Sequence, residues 1–278
     1  MHLGSTYVPT AGEVGILCMV TYFFLSVAAY AFLGNLIFSL ATHSSVAPEH
    51  RISRTFEAII AAVAGVSYFL ILSDYHHMLE DLAKLTDEAS RHQLINRSYN
   101  AIGQYRYMDW AVTTPLLLLK MVGALRIKPH EAPRAIFTLL AADFFMVLTG
   151  YIGEQQLTAA GEIIASQKLL WGAISTAGYV LVPLTLFGLW KRFKDRAKEP
   201  ERRAYKWMAL TTVTTWGAYP IGYLLTLTDL NLNWLHISFT IADIINKVGV
   251  AVVLYLAAKK LLEERVPEEA VLPGHQVS

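Results

Sequence analysis

Two opposite charges stand among apolar residues in the stretch Ile241-Ala242-Asp243-Ile244-Ile245-Asn246-Lys247-Val248-Gly249-Val250. No other Asp, Glu, Lys or Arg occurs between residues 231 and 258, a length that favours a transmembrane helix. On such a helix Asp243 and Lys247 share one face, about 6 Å apart along the axis. A lysine near the middle of a span costs about 2.5–3.5 kcal/mol on insertion scales, which indicates that this lysine has a function.

A buried lysine has a chemistry that a solvated lysine lacks. Removal from water favours the neutral amine, which attacks carbonyl groups and forms a Schiff base. A protonated Schiff base at Lys247 needs a counterion, and Asp243 can supply one from a single helical turn away. The alternative is a solvated i,i+4 ion pair worth about 0.3–0.5 kcal/mol, which does not explain the uncharged flanks.

The composition is too apolar for an ordinary soluble domain. The 278 residues are 54% hydrophobic and 16% charged, and a net charge of +1 gives no basic surface for nucleic acid. Six further segments are long and apolar enough to cross a membrane, so we predict an all-α bundle of seven transmembrane helices. The predicted spans are 14–42, 52–72, 101–125, 135–153, 169–190, 207–228 and 231–258.

The charges between the spans predict the orientation. Eight Lys and Arg lie between residues 191 and 206, whereas the connection between the last two spans has none. The positive-inside rule therefore puts the N-terminus outside and the C-terminus inside a cell membrane. We predict one multi-pass domain over residues 1–265 and a flexible tail over 266–278. The connection 74–100 is predicted to be long, external and partly ordered, with His76 and His77 solvated and without a metal site.

Few charges remain inside the predicted spans. The third span holds Asp109 and Lys120, with Arg106 near its outer end, and the fourth holds Asp143. Asp109 and Lys120 are eleven residues apart, about 16 Å along a helix, with Asp109 on the outer side and Lys120 on the inner side. Titratable groups on both sides of Lys247 are what a proton relay requires. The alternative for Lys120 is that it extends to the inner interface and has no role.

The whole pattern resembles the microbial rhodopsins. The run RYMDWAVTTPLLLL (106–119) resembles their third helix, WGAYP (216–220) their sixth, and DIINK (243–247) their seventh. TGYIG (149–153) and WGAIST (171–176) are similar to the fourth and fifth. The resemblance covers all seven spans and implies a light-driven ion transporter rather than an enzyme.

By this resemblance, Lys247 is implied to bind all-trans retinal covalently as a protonated Schiff base. Asp109 is implied to be the primary counterion and proton acceptor, and Asp243 the second counterion. Asp143 is implied to hydrogen-bond Thr114. The residues implied to contact retinal are Trp110, Thr113, Thr114, Asp143, Met146, Gly150, Trp171, Gly172, Ser175, Trp216, Tyr219 and Pro220.

The third-helix residues Asp109, Thr113 and Lys120 indicate which ion-pump subfamily this chain resembles. Sodium pumps of the family carry Asn, Asp and Gln at these places, and chloride pumps lack the acidic acceptor, so the resemblance implies proton transport. Lys120 is the candidate proton donor, in which this chain resembles the Exiguobacterium-type rhodopsin rather than pumps with a carboxylate donor. We therefore predict a light-driven outward proton pump. The alternatives are a sensory photoreceptor with a slow photocycle, an inward proton pump, and a pump of another ion.

Three further positions, Leu70, His236 and Gly172, depart from common family patterns. Leu70 is interpreted as the second-helix position at which proteorhodopsins carry a histidine. Arg106 and His236 are candidates for the proton-release path, although His236 is more simply interpreted as a solvated residue at a helix start. Gly172 either opens a window for a carotenoid antenna or allows close helix packing.

The predicted partners are protons, the lipid bilayer and further copies of the chain in a trimer or pentamer, with neither nucleic acid nor a transducer.

Overall fold

The computed structural model describes residues 7–159 and 161–271, with side chains described as far as Arg265. Within these residues, seven long helices form a bundle, which confirms the predicted all-α fold class. In chain order they are α1, Ile16–Ala41; α2, Arg51–Leu82; α3, Glu88–Ala124; α4, Pro133–Glu154; α5, Ala165–Phe193; α6, Glu199–Thr214 and Ala218–Leu225; and α7, Asn233–Asp243, Ile244–Gly249 and Val250–Val271.

The helices α2 and α3 are much longer than their predicted spans. The predicted loop 74–100 was wrong, because only residues 83–87 lie between the two helices. His76 and His77 stand on the last turns of α2, each 3.4 Å from a carboxylate oxygen of Glu80. A hydropathy pattern detects where a helix leaves the apolar layer. The helix α2 continues past that point to Leu82, and α3 begins directly after its N-cap residue Asp87.

In the part of the chain that the structure describes, five helical runs are long and apolar enough by themselves to cross a membrane. Those that fall outside this criterion are α3, which carries charges along its first turns, and α6, which is interrupted at residues 215–217. The interruption follows from Pro220, which has no N–H to give to the carbonyl of Trp216. That carbonyl instead accepts from the Tyr219 N–H at 3.1 Å, so the chain turns more tightly there.

Large apolar side chains cover the outside of the bundle. Phe23, Val66, Phe144, Leu184 and Leu256 are each more than half exposed, one from each of five different helices. An exposed apolar surface of this extent is unusual for a water-soluble monomer but suits contact with lipid tails. The last described helix runs on to Val271, into the predicted tail, and residues 272–278 lie outside the described part, so the division into domain and tail stays a prediction.

Charged side chains join the helix ends on the predicted inner side. Glu201, fully buried in the first turn of α6, lies 2.8 Å from His50 Nε2 and accepts from Arg126 Nε at 2.8 and 2.9 Å. Glu49, His50 and Glu201 are close enough to ligate a metal ion, but Arg126 already bonds both Glu201 oxygens. Burial raises the pKa of Glu201, and the hydrogen bonds of His50 and Arg126 outweigh it, so that this pKa lies below its ordinary value.

We expect Glu201→Gln to lower the free energy of unfolding by about 1.5–3 kcal/mol at pH 7, the usual contribution of hydrogen bonds to a charged group. A carboxyl whose folded pKa is lowered stabilises the protein above its unfolded pKa, about 4.3, and loses that contribution as the pH falls through the folded value. The difference between variant and wild type should therefore shrink in acid. Thermal unfolding in detergent at several pH values measures it.

The matched control is Glu199→Gln, in the same helical turn but exposed, where the carboxylate faces Arg202 and Arg203. We expect this control to unfold within about 0.5 kcal/mol of wild type, as exposed substitutions usually do. A Glu201→Gln variant as stable as the control at pH 7 would contradict the account of the inner-end network.

Candidate functional site

Lys247 lies in the part of α7 where the helix changes from α to π geometry. The π-helical segment Ile244–Gly249 widens the backbone turn around this lysine, a distortion that is frequent at functional sites. Lys247 is almost completely buried, and its Nζ contacts Asp109 Oδ2 of α3 and lies 3.6 Å from Asp243 Oδ1. The single amine therefore faces two carboxylates, as predicted from the sequence.

The two carboxylates have different surroundings. Asp243 accepts hydrogen bonds from the hydroxyls of Tyr68 and Tyr219, each at 2.7 Å, and from Trp110 Nε1 at 3.3 Å. Arg106 Nη1 lies 3.6 Å from the same carboxylate. The negative charge of Asp243 is thus held by donors from three other helices.

Asp109 has fewer partners. Its Oδ2 contacts Lys247, while its Oδ1 has no hydrogen-bond partner among the described side chains. The hydroxyl of Thr113 donates to the backbone carbonyl of Asp109 at 2.9 Å rather than to its carboxylate. The charge of Asp109 therefore depends mainly on Lys247.

A cavity of about 1070 Å³, counted as all space between atoms up to its mouth, adjoins Lys247. Its walls are mostly aromatic and apolar, which suits an elongated apolar ligand. A carbonyl at one end of such a ligand would meet the Lys247 amine. The predicted contact residues that line the cavity are Trp110, Thr114, Met146, Gly150, Gly172, Ser175, Trp216, Tyr219 and Pro220.

Three predicted contact residues do not line this cavity, and their contact with retinal stays a prediction. Thr113 is turned toward the α3 backbone. Asp143 lies behind Thr114, whose hydroxyl donates to it at 2.8 Å, which confirms the hydrogen bond implied by the resemblance. Trp171 is turned toward α4, with its Cβ against Gly153.

Lys120 is buried rather than extended to the membrane surface. Its Nζ lies 2.7 Å from Glu57 Oε1, and both side chains are about 1% exposed. The alternative that Lys120 extends to the inner interface was therefore wrong. Glu57 was missed because it directly precedes the charge-free part of the predicted second span. Its spacing of three residues from Arg54 was the available signal, since that spacing puts both side chains on one helix face.

The predicted outer side holds further buried polar groups. His236 is 2% exposed and packs between the rings of Tyr75 and Tyr99, so its interpretation as a solvated residue at the helix start was wrong. Glu154 of α4 accepts from Lys168 Nζ of α5 at 2.9 Å, and both are buried. Sequence reasoning missed this pair, because both residues lie just outside their predicted spans.

On α2, Tyr68 donates its hydroxyl to Asp243. Leu70, interpreted from the sequence as the family's histidine position, is 37% exposed on the outer surface of the bundle. Two residues along a helix turn the side chain by about 200°, which moves it from the interior to the exterior. The assignment of Leu70 to the histidine position that pairs with the acceptor in proteorhodopsins was therefore wrong.

Comparison with known proteins agrees with this geometry. The sequence profile of the bacteriorhodopsin-like protein family matches residues 19–261. The chain belongs to this family. The resemblance to microbial rhodopsins is thereby confirmed, and this bacteriorhodopsin-like chain is an integral membrane protein.

The relatives named below are moderately similar to this chain in sequence. Bacteriorhodopsin of Halobacterium salinarum is 30% identical over 178 residues, which are 63% of this chain. The chain spans 64% of the length of that curated relative. The solved structure of Exiguobacterium sibiricum rhodopsin is 26% identical with a TM-score of 0.73, covering 88% of this chain and 99% of the other. Xanthorhodopsin, described as a light-driven ion pump with dual chromophore, is 25% identical with a TM-score of 0.74, covering 93% and 99%.

In this bacteriorhodopsin-like chain the ring of Tyr223 covers Gly172. A Cβ on Gly172 would lie 2.7 Å from Tyr223 Cε1. The ring is held in place, because its hydroxyl donates to the Lys168 carbonyl at 2.6 Å and Lys168 Nζ lies 4.7 Å from the ring centre. Gly172 thus serves close packing between α5 and α6 in this structure.

We expect Gly172→Ala to lower the free energy of unfolding by about 1–3 kcal/mol, the usual effect of an added methyl in a filled space. Gly188→Ala is the matched control on the same helix, since a Cβ there would meet nothing within 4 Å. The control should be neutral or slightly stabilising, because alanine loses less backbone entropy on folding. Thermal unfolding of both variants measures the difference, and equal stability would show that Tyr223 does not pack on Gly172.

Proposed function

We propose that this chain binds all-trans retinal at Lys247 and pumps protons outward under light. The observation that supports it most is the buried Lys247 amine between two carboxylates at the wall of an apolar cavity. When bound, retinal supplies light absorption and a change of shape that lowers the proton affinity of the Lys247 nitrogen. The residues of this chain supply the rest.

The cavity fits retinal by its lining. Retinal is a long apolar molecule with one aldehyde, and the cavity walls combine aromatic rings with a single lysine amine. Trp110, Trp216 and Tyr219 would hold the chain of the ligand, while Gly150 and Ser175 leave room for it. The hydrogen bond from Thr114 gives one oxygen of the buried Asp143 carboxyl a partner behind this wall.

Asp109 is the proton acceptor in this proposal. Lys247 contacts Asp109, and a proton can pass from Lys247 Nζ to a carboxylate oxygen without rearrangement. Asp243 is less suited to accept it, since two tyrosine hydroxyls, Trp110 and Arg106 stabilise its negative charge. Asp243 instead acts as the second counterion, and Arg106 and His236 line the route by which a proton leaves outward.

The first test is light-induced pH change in an unbuffered suspension of cells that express the protein with retinal. External acidification that a protonophore abolishes supports outward proton pumping. Alkalinisation abolished by the protonophore would mean inward transport, and alkalinisation enhanced by it would mean that another ion moves. A coloured, photoactive protein without any pH change would indicate a sensory photoreceptor.

Other parts of the proposal concern partners and orientation. The outward direction requires the N-terminus outside, as the loop charges predict. Assembly into a trimer or pentamer and the absence of a transducer remain predictions. A carotenoid antenna beside Gly172 also remains a prediction, and it would have to bind against the ring of Tyr223 that covers this glycine.

A further inference from the structure

Three buried ionisable side chains meet on the predicted inner side of the bundle. Both oxygens of the Glu57 carboxylate are taken by cations, Oε1 by Lys120 Nζ at 2.7 Å and Oε2 by Arg54 Nη1 at 2.6 Å. All three side chains are 2% exposed or less. The guanidinium of Arg54 also donates to the carbonyl of Phe38 at 3.2 Å and to the hydroxyl of Thr42 at 2.5 Å.

Helix geometry puts this group in line with the Lys247 site. On α3, Asp109 contacts Lys247, and Lys120 follows eleven residues later. On α2, Tyr68 bonds Asp243, and Glu57 precedes it by eleven residues. Eleven residues make slightly more than three full helical turns, so each helix presents the same face to the interior at two levels about 16 Å apart.

Stability alone does not account for three buried ions. Removing charges from water is unfavourable, and apolar residues in their place are often as stable or more stable. The arrangement has a different consequence for a proton donor. With Lys120 protonated the group carries a net charge of +1, and after Lys120 gives up its proton only the balanced pair of Arg54 and Glu57 remains. Donation therefore leaves no uncompensated charge in the interior.

We propose that Glu57 is the positioning residue of the proton donor, which keeps Lys120 protonated and aimed in the resting protein. This inference rests on the proposed function, in which Lys120 Nζ returns a proton to Lys247 Nζ after Asp109 has taken the first. One N–H bond breaks at Lys120 and one forms at Lys247, and the amine left on Lys120 takes its next proton from the inner side. Without the Glu57 carboxylate, Lys120 would face Arg54 with no anion between them. Lys120 would then be unprotonated in the resting protein and could not donate a proton.

The charged and titratable groups that face this pair are few in the described part of the chain. Arg54 comes from α2 itself, and Tyr255 of α7 lies 5.1 Å from its guanidinium, ring centre to Cζ. Directly after α1, the uncharged hydroxyl of Thr42 accepts from Arg54. A pH effect that depends on residue 57 can therefore be assigned to Glu57 and Lys120.

The test follows the recovery of the resting absorption after a flash, in purified protein between pH 6 and pH 9. We expect wild type to recover at a rate that barely depends on pH, because its proton is stored. Glu57→Gln should recover at least tenfold more slowly at pH 8, with a rate that falls about tenfold per pH unit because protons then come from water. Lys120→Met should behave in the same way, and Glu57→Asp should restore a pH-independent rate.

Glu263→Gln is the matched control, since Glu263 is an exposed carboxylate of α7 that also faces a lysine, Lys259, at 3.6 Å. We expect it to recover like wild type. If Glu57→Gln also recovers like wild type at every pH while Lys120→Met is slow, the positioning role of Glu57 is refuted.

Two further measurements do not depend on a folded Glu57→Gln protein or on transport. Infrared difference spectra of wild type with labelled glutamate should show a carboxylate band that shifts during recovery and that Glu57→Asp removes. A protonated glutamic acid band there would overturn the proposal, since Glu57 would then be the donor. In the retinal-free protein, Lys120→Met combined with Glu57→Asp should lower the unfolding temperature by less than the sum of the single changes. Additive losses would mean that the two side chains do not interact.

Failure of the proposed function would look different. If wild type does not acidify the cell suspension, but Glu57→Gln makes recovery slow and pH-dependent, outward pumping is refuted and the role of Glu57 is supported. If wild type pumps protons outward and Glu57→Gln recovers like wild type, outward pumping is supported and the role of Glu57 is refuted.

Discussion

Lys247→Ala is expected to remain colourless when retinal is added, with visible absorption at the background level. A Schiff base requires a primary amine, and Lys247 carries the one lysine amine at the wall of the cavity in the described part of the chain. Lys247→Arg should be colourless as well, although it keeps a positive charge beside Asp109, because a guanidinium stays protonated and is no nucleophile. Absorption spectra of the purified variants, measured with and without retinal, test both expectations.

The matched control for this prediction is Lys259→Ala. Lys259 stands on the same helix but is exposed on the predicted inner side, where it faces Glu263. This variant should bind retinal and absorb like wild type. A coloured Lys247→Ala protein whose colour resists hydroxylamine would mean that retinal is held without the predicted bond, and the site would have to be reassigned.

Asp109→Asn is expected to reduce light-driven proton transport roughly 100-fold or more, the usual loss when a proton-transfer group is removed. The amide keeps the size of the side chain but cannot accept the proton from Lys247. It also removes the negative charge that contacts the Lys247 nitrogen, so the absorption band should move to longer wavelength. External pH recordings under light measure transport, and the spectrum of the same sample shows that retinal is still bound.

Asp229→Asn provides the control, since Asp229 lies exposed in the connection between α6 and α7. It should pump and absorb like wild type. The comparison with Asp243→Asn decides which carboxylate accepts the proton. If Asp243→Asn stopped transport and Asp109→Asn did not, the two carboxylates would exchange roles despite the four donors around Asp243.

The sequence by itself determined the features that depend on local geometry and on the cost of charge in lipid. Asp243 and Lys247 must share a face, because four residues make about one turn of any helix. A lysine and an aspartate in otherwise uncharged spans indicated a functional site, since the bilayer excludes unpaired charge. The fold class and the membrane location followed from the number and length of the apolar spans, and the family profile confirmed them.

Only the tertiary structure decided which side chains meet across helices. Glu57 pairs with Lys120 across 63 residues of sequence, and Glu154 pairs with Lys168 at the opposite end of the bundle. His236 proved buried, and Tyr223 proved to cover Gly172. The physical reason is that such contacts depend on how each helix is rotated about its axis and how far it extends past the apolar layer. Both are set by packing of whole helices against one another, which no local spacing records.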